Sequence, residues 1–271
     1  MTMPCYFCSV SVQKLAKPVI CRFFYFMQNN AYLCEMDKIL LEICAGSVAS
    51  ALAAQEGGAD RIELCSALPL DGLTPGYGTI KEVKRLLSIP VYVLVRPREG
   101  DFLYSKEELA AICGDIYAAK ELGADGIVCG ALDRYGNIDV EAMEQIMKAS
   151  KGVSFTFHRA FDVCRNPLES LEILMEMGVN TLLTSGQAAT AVEGTGLIKE
   201  LAAKAQAKGL TIMAGCGIKA AHVAALALET GVAAIHLSAK KKITGAMPRS
   251  DYYQTDADEV RNCRKIIDSI N

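Results

Sequence analysis

GGADRI, residues 57–62, decides the fold, because it returns in altered form as LGADGI at 122–127, MGVNTL at 177–182 and TGVAAI at 230–235. Each copy sets a glycine between an amphipathic stretch of helical length and a short apolar run. Glycine suits the left-handed position that ends a helix, so each copy reads as a helix-to-strand junction. Working outward from these junctions, short runs of buried-strand type alternate with helical stretches from residue 39 onward. The runs are 40–44, 61–65, 91–95, 126–129, 153–157, 181–184, 210–214 and 234–237. Helical stretches follow them, among them 47–56, 106–122, 167–177 and 256–270. The four glycine junctions precede the second, fourth, sixth and eighth runs. Eight alternating units in one domain predict an α/β fold, a TIM-type (β/α)8 barrel, rather than a doubly wound sheet. Right-handed crossovers permit both. However, LEICAGSVAS (41–50) stands where a glycine-rich dinucleotide fingerprint would follow the first strand, which removes the main support for a Rossmann fold.

Composition narrows the function. With 51% apolar residues, a chain of 271 can bury one large core. A net charge of −3 gives no reason to expect nucleic acid or an anionic membrane as partner, so any basic site is local. No stretch of eighteen uncharged apolar residues predicts a membrane-spanning helix. The 11 cysteines are odd in number and scattered through predicted helices and strands, unlike a secreted disulfide framework. They read as reduced thiols of a cytoplasmic protein. Residues 1–35 differ from the rest, with an aromatic run at Phe23, Phe24, Tyr25 and Phe26 and no clear period. Pro18 and Arg22 interrupt a signal-peptide reading, and the lone CxxC at Cys5 and Cys8 is weak support for metal or redox work. The expectation is a poorly ordered extension over 1–35, upstream of a start at Met36, and a barrel domain over 36–271.

In such a barrel, chemistry collects at the C-terminal strand ends. VSFTFHRAFD (153–162) places His158 and Arg159 at the end of the fifth strand, with Asp162 just beyond. The first strand offers Glu42 and Cys44 on one face, and the second offers Glu63 and Cys65 at the same spacing. The third runs into Arg96 and Arg98. Buried Glu42 and Glu63 need cationic partners, and Arg96 and Arg159 are the candidates. Arg98 and His158 then remain for an anionic ligand. The turns after the sixth and seventh strands, with Ser185, Gly215 and Gly217, read equally as backbone-lined anion sites and as tight turns that need glycine. Cys44 and Cys65, on neighbouring strands, are either a pair of soft ligands for Cu(I) or two small buried apolar residues. His222 reads as a surface or packing residue, and His236 points inward or fills a barrel layer. Neither HxH nor HExxH occurs, which disfavours a zinc site. Lys240, Lys241 and Lys242 come after the last strand in a predicted loop, which disfavours a Schiff-base aldolase.

DRIELCSAL (60–68), RPREGDFLYS (96–105), TFHRAFD (156–162), LTSGQ (183–187), MAGCGI (213–218) and IHLSA (235–239), in this order, resemble the CutC copper-homeostasis family. The resemblance is strong over roughly residues 36–240 and loose in the tail. It implies a TIM-type barrel and a cytoplasmic protein linked to copper, with Cys44 and Cys65 in the family's proposed copper-binding positions. Two departures stand out. Cys129 stands where the family often carries an aromatic, and Cys216 replaces a glycine of its Gly-Gly-Gly turn. The expected function is copper homeostasis with Cu(I) bound by thiolates at the mouth. The alternative is a barrel enzyme for a small anionic, even phosphorylated, metabolite. There Arg96, Arg98 and Arg159 would hold the anion, and His158 would act as acid or base beside Glu42 or Glu63. A homo-oligomer is compatible with either.

Overall fold

The computed structural model describes residues 38–248 and 250–270. The predicted N-terminal extension, its CxxC and Met36 lie outside the described residues. Eight parallel strands close into a barrel in sequence order. They are β1 (Leu40–Ala45), β2 (Arg61–Leu64), β3 (Val91–Leu94), β4 (Gly126–Cys129), β5 (Ser154–Phe157), β6 (Thr181–Thr184), β7 (Thr211–Gly215) and β8 (Ala234–Leu237). The helices that follow them are α1 (Val48–Glu56), α2 (Tyr77–Leu86), α3 (Lys106–Glu121), α4 (Val140–Ala149), α5 (Pro167–Glu176), α6 (Thr195–Ala205), α7 (Ala220–Thr230) and α8 (Ala257–Asp268). The TIM-type barrel is as predicted.

The glycine junctions do what their chemistry suggests. Gly58, Gly123, Gly178 and Gly231 all have positive φ, between 69° and 89°, and each leads into the next strand. Helix starts are equally local. Ser105 accepts from the Glu108 N–H while Glu108 accepts from the Ser105 N–H, a reciprocal cap that begins α3.

Period two divides each strand between two environments. On β1, Leu41, Ile43 and Ala45 face the helices and join the main apolar core, while Glu42 and Cys44 point into the barrel. On β2 the inward residues are Arg61 and Glu63, with Cys65 just past the strand. Polar side chains therefore enter the barrel from strands buried on both faces.

A feature absent from the predicted pattern lies after β8. Lys240–Ile243 and Tyr252–Thr255 form an antiparallel hairpin, β9 and β10. Lys241 pairs with Asp256 at 3.0 Å and Lys242 with Asp251 at 2.8 Å, so a run that reads as a loop is a short paired ribbon. α8 then packs Val260, Cys263 and Ile267 onto the barrel. Arg264 reaches Asp60 at 2.7 Å, beside the Leu41 N–H that the same carboxylate accepts at 2.8 Å.

Candidate metal centre

The register of β1 between β2 and β8 builds the centre. Glu42 lies level with Arg61 on one side and His236 on the other. Its carboxylate, fully buried, accepts from Arg61 Nε at 2.5 Å on one oxygen and from His236 Nδ1 at 2.7 Å on the other. Burial alone would push this carboxyl up, but the Arg61 charge and the His236 bond outweigh it, and it is held below its ordinary range. Burial works against a charged His236. The bond to Glu42 and the charges of Glu63 and Glu42 overcome that and raise the imidazole above its usual value. The Arg61 guanidinium also lies 4.0 Å from the Tyr92 ring centre. Glu42 is thus paired by Arg61, not by Arg96 or Arg159 as the sequence reading had it. Strand register supplies the reason, since Arg61 is the residue directly opposite.

Nearer the mouth, the Cys44 thiol lies 3.5 Å from Glu63 Oε1 and 3.5 Å from Cys65 Sγ. Hydrogen bonding with Cys65, then burial, raises the Cys44 thiol well above its usual value. Burial also raises Glu63, and its second oxygen has no partner among the described residues. One ligand atom each from Cys44, Glu63 and His236 lies within 4.8 Å of the others. His236 has committed Nδ1 to Glu42, which leaves Nε2 as the atom it could offer a metal and puts a carboxylate behind the ring.

The other predicted residues divide. Arg96, His158 and Arg159 line a cavity of about 770 Å³ above this centre, together with Cys44, Glu63 and His236. Arg98 is elsewhere. Its guanidinium meets Glu108 at 2.5 Å and Asp101 at 2.9 Å and donates to the Leu103 carbonyl, so it fastens the start of α3. Arg159 donates to Asp162 at 2.8 Å. Asp162 also accepts from the Thr184 hydroxyl at 2.5 Å and the Ser185 N–H at 2.9 Å, so the chain's own carboxylate occupies the turn after β6. Gly215 and Gly217 are required by space. A Cβ would come within 2.5 Å of Leu183 at the first and 2.7 Å of Thr190 at the second. His222 is peripheral, accepting the Lys219 N–H at 3.3 Å.

Sequence reading leaves Arg61 out and assigns His236 no role. The signal was present for Arg61, because residues 61, 63 and 65 share the inward face of one strand. For His236 it was the equal spacing of the first and last strands around a closed barrel.

The CutC family model matches residues 39–241. A CutC family protein of Bacteroides fragilis is 48% identical over 213 residues, 78% of this chain and 84% of its own length. One of Pasteurella multocida is 47% identical over 208 residues, 77% of this chain and 85% of its own length. The crystal structure of a Streptococcus agalactiae protein named CutC, for copper homeostasis, superposes with a TM-score of 0.71 at 35% identity, covering 74% of this chain and 98% of that one.

Proposed function

Since the chain belongs to the CutC family, we propose that it serves copper homeostasis by holding one Cu(I) ion as cargo at Cys44 and Cys65. His236 and Glu63 stand ready to complete the ligand set. The observation that carries this reading is the convergence of two thiols and a carboxylate at 3.5 Å on the inward face of β1 and β2. The donor set fits the ion. Thiolate is the soft ligand that selects Cu(I), and imidazole is compatible with copper. Glu63, with an oxygen left unpartnered, gains a partner when an ion or a displaced proton arrives. Arg61 and Glu42 do not ligate. They hold His236 in position and fix which ring nitrogen is free.

The thiols are buried, 7% exposed at Cys44 and 1% at Cys65, so adventitious oxidants and bulky chelators meet only the cavity face. The raised Cys44 thiol keeps its proton when no ion is bound. Ion binding therefore releases that proton, and affinity rises with pH.

Substituting both cysteines tests the proposal. Cys44→Ser with Cys65→Ser should weaken Cu(I) binding, measured by competition with a chromophoric chelator, at least about tenfold, or ~1.4 kcal/mol. Unchanged affinity in a folded double variant removes this site.

A further inference from the structure

Among the described residues, Tyr104 Oη and Arg264 Nε and Nη2 are buried without a hydrogen-bond partner away from the cavity, and four further such atoms, Glu63 Oε2, Arg96 Nε, Thr156 Oγ1 and His158 Nε2, belong to β2, β5 or the segment just after β3 or β5. Three of these residues, Glu63, Arg96 and His158, line the cavity above the metal centre. Native interiors satisfy such groups, so a cluster of unmet polar atoms around a cavity calls for something to fill it.

Charge identifies what fits. Arg61, Arg98 and Arg159 each face a carboxylate. Arg96 does not. Only 4% exposed, it donates to the Leu70, Gly72 and Gly100 carbonyls, and its Nε is left over. A buried guanidinium balanced only by carbonyl dipoles favours an anion. Beside it, His158 Nδ1 accepts the Ala160 N–H at 3.3 Å, so its free Nε2 carries the proton. Burial and the Arg96 charge push this imidazole down to about 3, and it offers a neutral N–H at working pH. The Phe102 ring flanks both groups, 4.9 Å from the His158 ring and 5.1 Å from the Arg96 guanidinium. Both unmet atoms are sealed from water in this state, so a ligand in the cavity reaches them only with a side-chain movement beside Phe102, which lines the cavity next to both groups. Gly130 keeps the neighbouring position empty; a Cβ there would lie 2.9 Å from His158 Nδ1.

We infer that this cavity binds a small organic monocarboxylic acid, its carboxylate held by Arg96 Nε and His158 Nε2. One uncompensated cation and one neutral donor balance a single negative charge. A phosphate dianion would carry a second charge with no cation to meet it, in a cavity that Asp162 also lines. A volume of about 770 Å³ is far more than an ion needs and suits a metabolite. The site goes beyond the copper reading and does not depend on it.

The test uses the full chain, titrated with glycolate, lactate and pyruvate at constant ionic strength, with chloride and inorganic phosphate as reference anions. The carboxylates should raise the Tm saturably, and the reference anions should not. With 3 histidines in the chain, the His158 Nε2–H resonance can be assigned, and it should move during the titration. His158→Asn keeps an acceptor for the Ala160 N–H and deletes the Nε2 donor, so it should weaken carboxylate binding at least about tenfold. Cys65→Ser, at a thiol outside the cavity lining, should leave carboxylate binding intact, which separates this site from the copper centre. No saturable effect beyond chloride, stabilisation by phosphate alone, or undiminished binding in His158→Asn overturns the inference. If His158→Asn does not fold, a stationary Nε2–H resonance in the unaltered chain overturns it just as well.

Discussion

Replacing Arg61 by Met strands the Glu42 carboxylate inside the barrel with only His236 to meet it. Removing one partner of a buried pair costs about 3–5 kcal/mol, so urea unfolding of Arg61→Met should show a loss near the lower end of that range. Glu42→Gln combined with Arg61→Met should recover much of it, because no charge is then left unpaired. His158 makes a separate prediction about pH. Its folded value, about 3, lies below the ordinary histidine value of 6.5. A group whose neutral form is favoured by folding contributes fully above the unfolded value, and that contribution falls away as pH drops from about 6.5 toward 3. Within this window the slope approaches one proton, about 1.4 kcal/mol per pH unit. His158→Asn should flatten the stability profile there, measured by denaturant unfolding from pH 7 to 4. Legibility at this scale was uneven. Glu42, Cys44, Glu63 and Cys65 were readable as one inward set from their spacing alone. Which cation met which carboxylate was not, because partner choice follows inter-strand register, and no local pattern encodes it.

Between elements, the turn from β7 to α7 carries the plainest strain. Cys216 sits at φ 87°, where a side chain costs about 1–2 kcal/mol, yet its carbonyl accepts the Ala191 N–H at 3.0 Å and so fixes the turn. Cys216→Gly should raise stability by up to about 1 kcal/mol, since relief of strain is partly offset by added freedom in the unfolded chain. Cys216→Val should lower it. Thermal unfolding of the two variants checks the opposite signs. The sequence showed this position as a departure from the glycine expected there, but not the backbone angle that gives the departure its energy. Strands and helices were readable to within one or two residues, because in a parallel barrel each strand is a continuous apolar run and each helix end carries its own glycine or cap. The hairpin of β9 and β10 was not, since three consecutive lysines match no strand pattern. Its pairing depends on the acidic partners Asp251 and Asp256.

For the molecule as a whole, α8 packs against α1 and β1, beside the seam where β1 and β8 close the barrel. Gly57, at the end of α1, leaves room for that contact; an added Cβ would stand 2.5 Å from Val260 Cβ and 2.7 Å from the Ala257 carbonyl oxygen. The φ of −73° is ordinary, so only space is at stake. Gly57→Ala should therefore destabilise the domain by about 1–3 kcal/mol through overpacking, and Gly57→Ala with Val260→Ala should restore part of it, read as urea midpoints. Closure also has a consequence in time. Glu42 and His236, bonded at 2.7 Å, are 194 positions apart in the chain, and β1 finds its second neighbour only in β8. During synthesis the first half of the chain leaves the ribosome with a carboxylate awaiting its imidazole and an open strand edge. A chain arrested before Ala234 keeps both defects, which chaperones and proteases recognise. Emergence of β8 is thus the event that closes the barrel, and a chain arrested earlier never acquires the Glu42–His236 pair.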